Sequence, residues 1–247
     1  MSQTPLYIVA SPHPRVGKTL LARLLIEFFH SEKRQLLGFD LNPREPTFAG
    51  YFPRWVFSVD IADTRGQMEL FDQLIAERPV STVIDLGYGA FEQFFSVLGE
   101  IGFAAEARRR GVETAVLFVS DRAPATVRVY GELRRRLADV AFIPVHNESV
   151  SVSFDRDDFA PSRPELRTIS IPRLSPIVRG VVDRPSFSFA TYLVKPASGP
   201  TEIHDWVATI FNAFRDLELR LTMGRLTSAL GSVSLGPPPL PRQTPRR

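Results

Sequence analysis

The chain has no cysteine, which excludes disulfides and thiolate metal sites and leaves the redox compartment unreadable from its thiols. It has no run of about 20 apolar residues, the length a membrane-crossing helix needs. No N-terminal pattern of basic residues, apolar stretch and small-residue cleavage site is present, so a cytoplasmic location is expected. Histidine is scarce, with four in 247 residues and none at His-x-x-x-His spacing, so no zinc-type ligand set is legible. There is no Gly-x-Ser-x-Gly elbow, which leaves a serine hydrolase unsupported. A strong excess of one charge is also missing. Lys and Arg number 30 against 27 Asp and Glu, a net charge of +3, too mild to establish nucleic-acid binding.

The composition that remains is that of an ordinary globular protein, 44% apolar and 23% charged, at a length where one α/β domain is the default. Strand patterns are expected near 6–10, 35–40, 55–61, 80–86, 113–120, 139–145 and 167–172. Helix patterns are expected near 18–31, 65–78, 90–110, 124–138 and 202–222. Such alternation predicts a mostly parallel sheet with helices on both faces. Residues 149–165 and 173–200 are rich in Pro, Ser and Asp and read as loops, with a short helix near 175–182. The folded domain is expected over 1–231. The tail 232–247, rich in Pro and Arg, is expected to be disordered with polyproline II character, a docking motif being the alternative.

The chemistry concentrates near the N-terminus. The apolar strand Leu6-Tyr7-Ile8-Val9-Ala10 runs into Ser11-Pro12-His13-Pro14-Arg15-Val16, then Gly17-Lys18-Thr19, then a helix with Leu20, Leu21, Leu24, Leu25 and Phe28 on one face. Strand, loop, Gly-Lys-Thr and helix are the context of a phosphate-binding loop of the P-loop NTPase type. Its backbone N–H groups, from Val16 to Leu20, would face a phosphate. Gly17 permits close backbone approach, Lys18 reaches the β/γ-phosphates, and the Thr19 hydroxyl can ligate Mg²⁺. Two more acidic turns fall at strand ends: Asp40-Leu41-Asn42-Pro43, and Asp85 after Val83-Ile84. Ligands of open α/β sheets bind outside the C-terminal ends of the strands.

The window His13-Pro14-Arg15-Val16-Gly17-Lys18-Thr19 resembles the deviant Walker A motif of the ParA/MinD family, of the SIMIBI class, in its last four residues. In the first three it departs: His13 replaces the signature lysine, and Pro14 and Arg15 replace two glycines. Asp40-Leu41-Asn42-Pro43 resembles the family's Asp-x-Asp-Pro, and Val80 to Gly87 its Walker B strand. The continuation Glu45-Pro46-Thr47-Phe48-Ala49-Gly50-Tyr51 is similar to the TraL/MobD mobilisation subgroup.

The resemblance implies ATP or ADP with Mg²⁺ as cofactors, Thr19, Asp85 and Asp40 around the metal, and Asn147 on the adenine edge. It implies a protein partner and an ATP-dependent homodimer, with DNA as a further partner. In the family the second acid of Asp-x-Asp helps position the attacking water, and here that residue is Asn42. An amide accepts no proton at pH 7, so hydrolysis is expected to be slow or absent. The signature lysine crosses to the partner's phosphates, and Arg15 is the nearby permanent cation that could replace it. The arginine clusters Arg108–Arg110, Arg134–Arg136 and Arg242, Arg246 and Arg247 read as solvated helix faces with a basic tail, or as a nonspecific DNA footprint. The segment Asp205 to Leu221 is amphipathic, but Asp205, Asp216 and Glu218 oppose anionic lipid, so it is expected to close the core, and membrane binding is not expected. Two alternatives stay open: a non-hydrolysing pseudo-ATPase scaffold, and a small-molecule P-loop kinase or ligase.

Overall fold

The structure, a computed structural model, describes residues 4–76, 80–121, 123–151, 157–194 and 201–231, with side chains as far as Thr227. The expected tail 232–247 lies outside the described residues. In chain order the elements are β1 (Thr4–Ala10), α1 (Lys18–Ser31), β2 (Leu36–Asp40), α2 (Thr47–Tyr51), β3 (Val56–Ser58), α3 (Thr64–Leu74), β4 (Ser81–Asp85), α4 (Phe91–Glu100), α5 (Phe103–Arg109), β5 (Val112–Val119), α6 (Pro124–Arg136), β6 (Ala141–Asn147), β7 (Ile169–Ile171), α7 (Pro176–Val182), α8 (Phe189–Val194) and α9 (Glu202–Gly231). The strands form one seven-stranded sheet in the order β3-β2-β4-β1-β5-β6-β7, and every neighbouring pair is parallel.

Both faces of the sheet are covered, as a parallel sheet requires. Side chains along a strand alternate between faces. On β1, Tyr7 and Val9 join a core with α1, α2, α7, α8 and α9, while Leu6, Ile8 and Ala10 join a second core with α3, α4, α5 and α6. The central strands β4 and β5 are buried at every position, apolar at Val83 and Ile84 and over 115–119, with polar residues toward their ends. Helix α9 buries Trp206, Ile210, Phe214, Leu217 and Leu221 in the first core, so the amphipathic segment does close the sheet. No helix among the described residues is long and apolar enough to cross a membrane.

The elements differ from expectation in four places, one of them α8, which forms at Phe189–Val194 within a stretch expected to be loop. The helix expected over 90–110 breaks into α4 and α5 at Gly102, whose φ of +62° is left-handed, a conformation glycine adopts without steric cost. The strand expected over 55–61 is only three residues long, because it pairs with β2 alone at the sheet edge. Helix α2 was not legible, because its first turn is capped from another element: the Asp40 carboxylate accepts from the N–H groups of Phe48 and Ala49 at 2.9 and 3.1 Å.

Candidate functional site

Because all strands run parallel, the C-terminal ends of β1, β2, β4, β5 and β6 share one edge, and the three chemical loops of the sequence meet there. Val9 of β1 is in register with Asp85 of β4, and Asp85 with Asp40 of β2. Beyond the ends the knitting continues: Leu86 N–H donates to Val9 O and Leu41 N–H to Asp85 O, both at 3.0 Å. The phosphate loop, Ser11 to Gly17, leaves β1 at this edge and delivers the chain into α1.

Gly17 has φ +99°, and a Cβ there would meet Asn147 Nδ2 at 2.4 Å. Glycine is needed both for the conformation and for the close approach. Gly17 caps α1 with no side-chain hydrogen bond, and the first turn of α1 carries no acid. The N–H groups of that turn therefore keep their partial positive charge for an anion. Lys18 is 8% exposed and its ammonium donates to the His13 carbonyl at 2.7 Å. Burial holds its pKa below the ordinary lysine value, against the pull of Asp85. Thr19 Oγ1 donates to Asp85 Oδ2 at 2.7 Å. Burial pushes the Asp85 carboxyl up to about 7, with Asp40 adding to the effect and Thr19 and Lys18 opposing it.

These residues fit an anion with a divalent cation. The buried carboxylate and buried ammonium are each incompletely compensated, and phosphate charge would supply what Lys18 lacks while a cation would supply what Asp85 lacks. Among the described residues no group of three or more His, Asp or Glu side chains is gathered for a metal.

The other candidates are placed as follows. Asp40 is nearly enclosed, and its two oxygens take three backbone N–H groups, those of Asn42, Phe48 and Ala49. It braces the β2–α2 connection, one strand over from Asp85. Asn42 closes the same turn: its amide donates to Glu45 O at 3.0 Å, and it lies close to Gly87, where a Cβ would come within 3.1 Å of the Asn42 Cβ. Asn147 is 2% exposed. Its amide donates to Val16 O at 3.0 Å and its Oδ1 accepts from Ser149 N–H at 3.1 Å, so it braces the phosphate loop. Val16 in the loop and Leu20 in the first turn of α1 have buried side chains. Arg15 is exposed in the left-handed region at φ +60°, and it has no ion-pair partner among the described residues. Of the arginine clusters, Arg108 pairs with Asp139, and Arg109 and Arg110 with Glu106.

One part of the site was not visible in the sequence. The His13 ring bonds through Nδ1 to Asp121 Oδ2, and Thr126 Oγ1 lies 3.2 Å from the same nitrogen. Asp121 is 108 residues from His13, beyond any local pattern. The one sequence signal is Asp121 itself, an acid just past the end of an apolar strand on the ligand edge.

Fold and site together define the P-loop NTPase type: a parallel sheet, flanked by helices, with Gly-Lys-Thr at the start of the helix after the first strand. No family model matches the chain, and no curated protein matches it. Solved structures do. A chain of the MinC:MinD cell division protein complex of Aquifex aeolicus matches with TM-score 0.55 and 14% identity, over 97% of this chain and 99% of that one. An ATP complex of a McdA variant from Cyanothece matches with TM-score 0.47 and 14% identity, over 88% of this chain and 97% of that one. At 14% identity the first likeness speaks to fold alone, and the second is too loose to add to it. Neither distinguishes the TraL/MobD-type subgroup.

Proposed function

We propose that this chain is a ParA/MinD-like ATP-binding switch whose own hydrolysis is slow or absent. The observation that carries the reading is the hydrogen bond from Thr19 to the buried Asp85, beside Lys18 and the open N-terminus of α1. In this reading the N–H groups from Val16 to Leu20 and the Lys18 ammonium bind the phosphates. Thr19 ligates Mg²⁺ directly and Asp85 holds it through water, with Asp40 keeping the adjoining turn in shape. When bound, Mg²⁺ neutralises phosphate charge. Asn147, already set against the loop, offers its remaining amide hydrogen and lone pair to the adenine edge.

Hydrolysis needs a group that positions water and takes its proton. Asn42 can orient water but accepts no proton at pH 7, and one of its two amide hydrogens is given to Glu45 O. That observation also favours the second reading, a scaffold that binds nucleotide without turnover. The small-molecule kinase or ligase is the weaker alternative. The MinC:MinD complex holds two proteins together, and by analogy we propose a protein partner here, with an ATP-dependent homodimer that uses Arg15 as the bridging cation. Roles in positioning, partitioning or mobilisation, and contact with DNA through the arginine clusters, belong to the same proposal.

Titration of labelled ATP with and without Mg²⁺, followed for release of phosphate, tests the reading. Mg²⁺-dependent binding with slow turnover supports the switch. Binding without turnover selects the scaffold, and no binding overturns both.

A further inference from the structure

The phosphate loop has a composition that does not by itself produce a phosphate loop. Pro14 has a fixed φ and no N–H. Arg15 takes φ +60°, which side-chain-bearing residues adopt rarely and hold only when the surroundings over-determine it. The shape must therefore be imposed from outside the loop. At its start, His13 N–H donates to Ser11 Oγ at 3.4 Å. At its end, the Lys18 ammonium closes back on His13 O and Asn147 donates to Val16 O. In between, the His13 side chain reaches out of the loop to the β5–α6 connection.

We propose that Asp121 and Thr126 are positioning residues of the phosphate loop, which act through the His13 ring to hold Arg15 and Lys18 where a phosphate meets them. The proposal rests on the nucleotide reading above. Asp121 is itself immobilised: its Oδ1 accepts from Ala123 N–H at 2.9 Å and from the Thr126 hydroxyl at 2.6 Å, and Oδ2 is given to His13. Thr126 is fully buried in the first turn of α6. Burial pushes the Asp121 carboxyl up, but the bonds from Thr126, His13 and Ala123 outweigh it and leave the group below the ordinary carboxylate value. The turn that leads into α6 uses only Oδ1. The bond from Oδ2 to His13 adds nothing to that turn, and it ties the loop to the start of α6. The His13 carbonyl belongs to the same residue that receives the Lys18 ammonium, so displacement of the ring displaces the lysine's anchor.

The test is calorimetric titration of the full chain with Mg²⁺–ATP and with Mg²⁺–tripolyphosphate. The variants are His13→Ala, Asp121→Ala, the double variant, Asp121→Asn and Lys18→Ala, with melting temperatures read on the same samples. Each alanine change at 13 or 121 should weaken both ligands about tenfold, and the double variant should lose no more than either single one, because residues that act through one contact are not additive. Asp121→Asn should recover to within about threefold, since an amide can still accept from Ala123 and Thr126 and can donate to the Nδ1 lone pair. Single variants within about twofold of wild type, or losses that multiply, overturn the proposal. If Lys18→Ala abolishes binding while both alanine variants keep it, the nucleotide reading stands and this proposal alone falls. If the wild-type chain binds neither ligand, both fall. Should Asp121→Ala not fold, His13→Ala, a change in a half-exposed loop side chain, decides: unchanged affinity overturns the proposal.

Discussion

Thr19 and Asp85, sixty-six residues apart in the chain, are joined by a 2.7 Å hydrogen bond at the base of the phosphate loop, and the acid in that pair is almost wholly removed from water. Burial raises its carboxyl from the ordinary 3.8 to about 7. A group raised in the folded state contributes stability that is complete below its unfolded value and is lost as pH rises through its folded value. Without nucleotide or metal, denaturant midpoints should therefore fall between about pH 4 and pH 7 and level off above that. A move from 3.8 to about 7 corresponds to at most about 4 kcal/mol. Asp85→Asn should flatten this limb and be the more stable protein at pH 8. An unchanged slope in that variant would contradict the assignment.

Asp40 has both oxygens committed to backbone N–H groups. Asp40→Ala should strand the enclosed N–H of Phe48 and unmoor α2, at a cost of about 2–3 kcal/mol in unfolding free energy. If its main duty were to the metal, stability in Mg²⁺-free buffer would hardly change and only Mg²⁺-dependent binding would suffer. Urea titrations in EDTA separate the two.

Asn42→Asp places a carboxylate in the turn that follows β2. Steady-state phosphate release should rise if Asn42 is what limits turnover, while ATP affinity moves little. An unchanged rate would place the limit at His13, Pro14 and Arg15.

Arg15 carries a permanent charge on an exposed loop position at φ +60°. Self-association promoted by ATP should weaken with added salt, because exposed charges are screened over about 10 Å at 0.1 M, and should weaken again in Arg15→Ala. Sedimentation velocity with and without ATP reads both effects. A tight dimer without nucleotide that ignores salt and this substitution would place association on another surface.

Much of the fold was legible because the strands are buried on both faces and alternate with helices. Even α7, set among Pro-rich residues, was readable as a short helix near 175–182. The misses have tertiary causes. Helix α2 depends on a cap from Asp40, eight residues away. The break before α5 hides inside a run of phenylalanines whose periodicity continues across Gly102. At the site, Lys18, Thr19 and Asp85 were legible from local pattern, because each sits at a strand end or helix start. The bracing by Asp40 and Asn147, and the tie from His13 to Asp121, depend on which strand ends the sheet order brings together, and spacing along the chain carries no record of that.

The central claim is that Lys18 and its loop bind nucleotide phosphate. Isothermal titration of Mg²⁺–ATP into wild type and Lys18→Ala, with matched circular dichroism, tests it most directly. Loss of a charge-assisted hydrogen bond costs about 1.5–3 kcal/mol, roughly 10–150-fold in affinity, so the variant should bind that much more weakly while keeping its fold. Equal affinity in the two proteins would contradict the account.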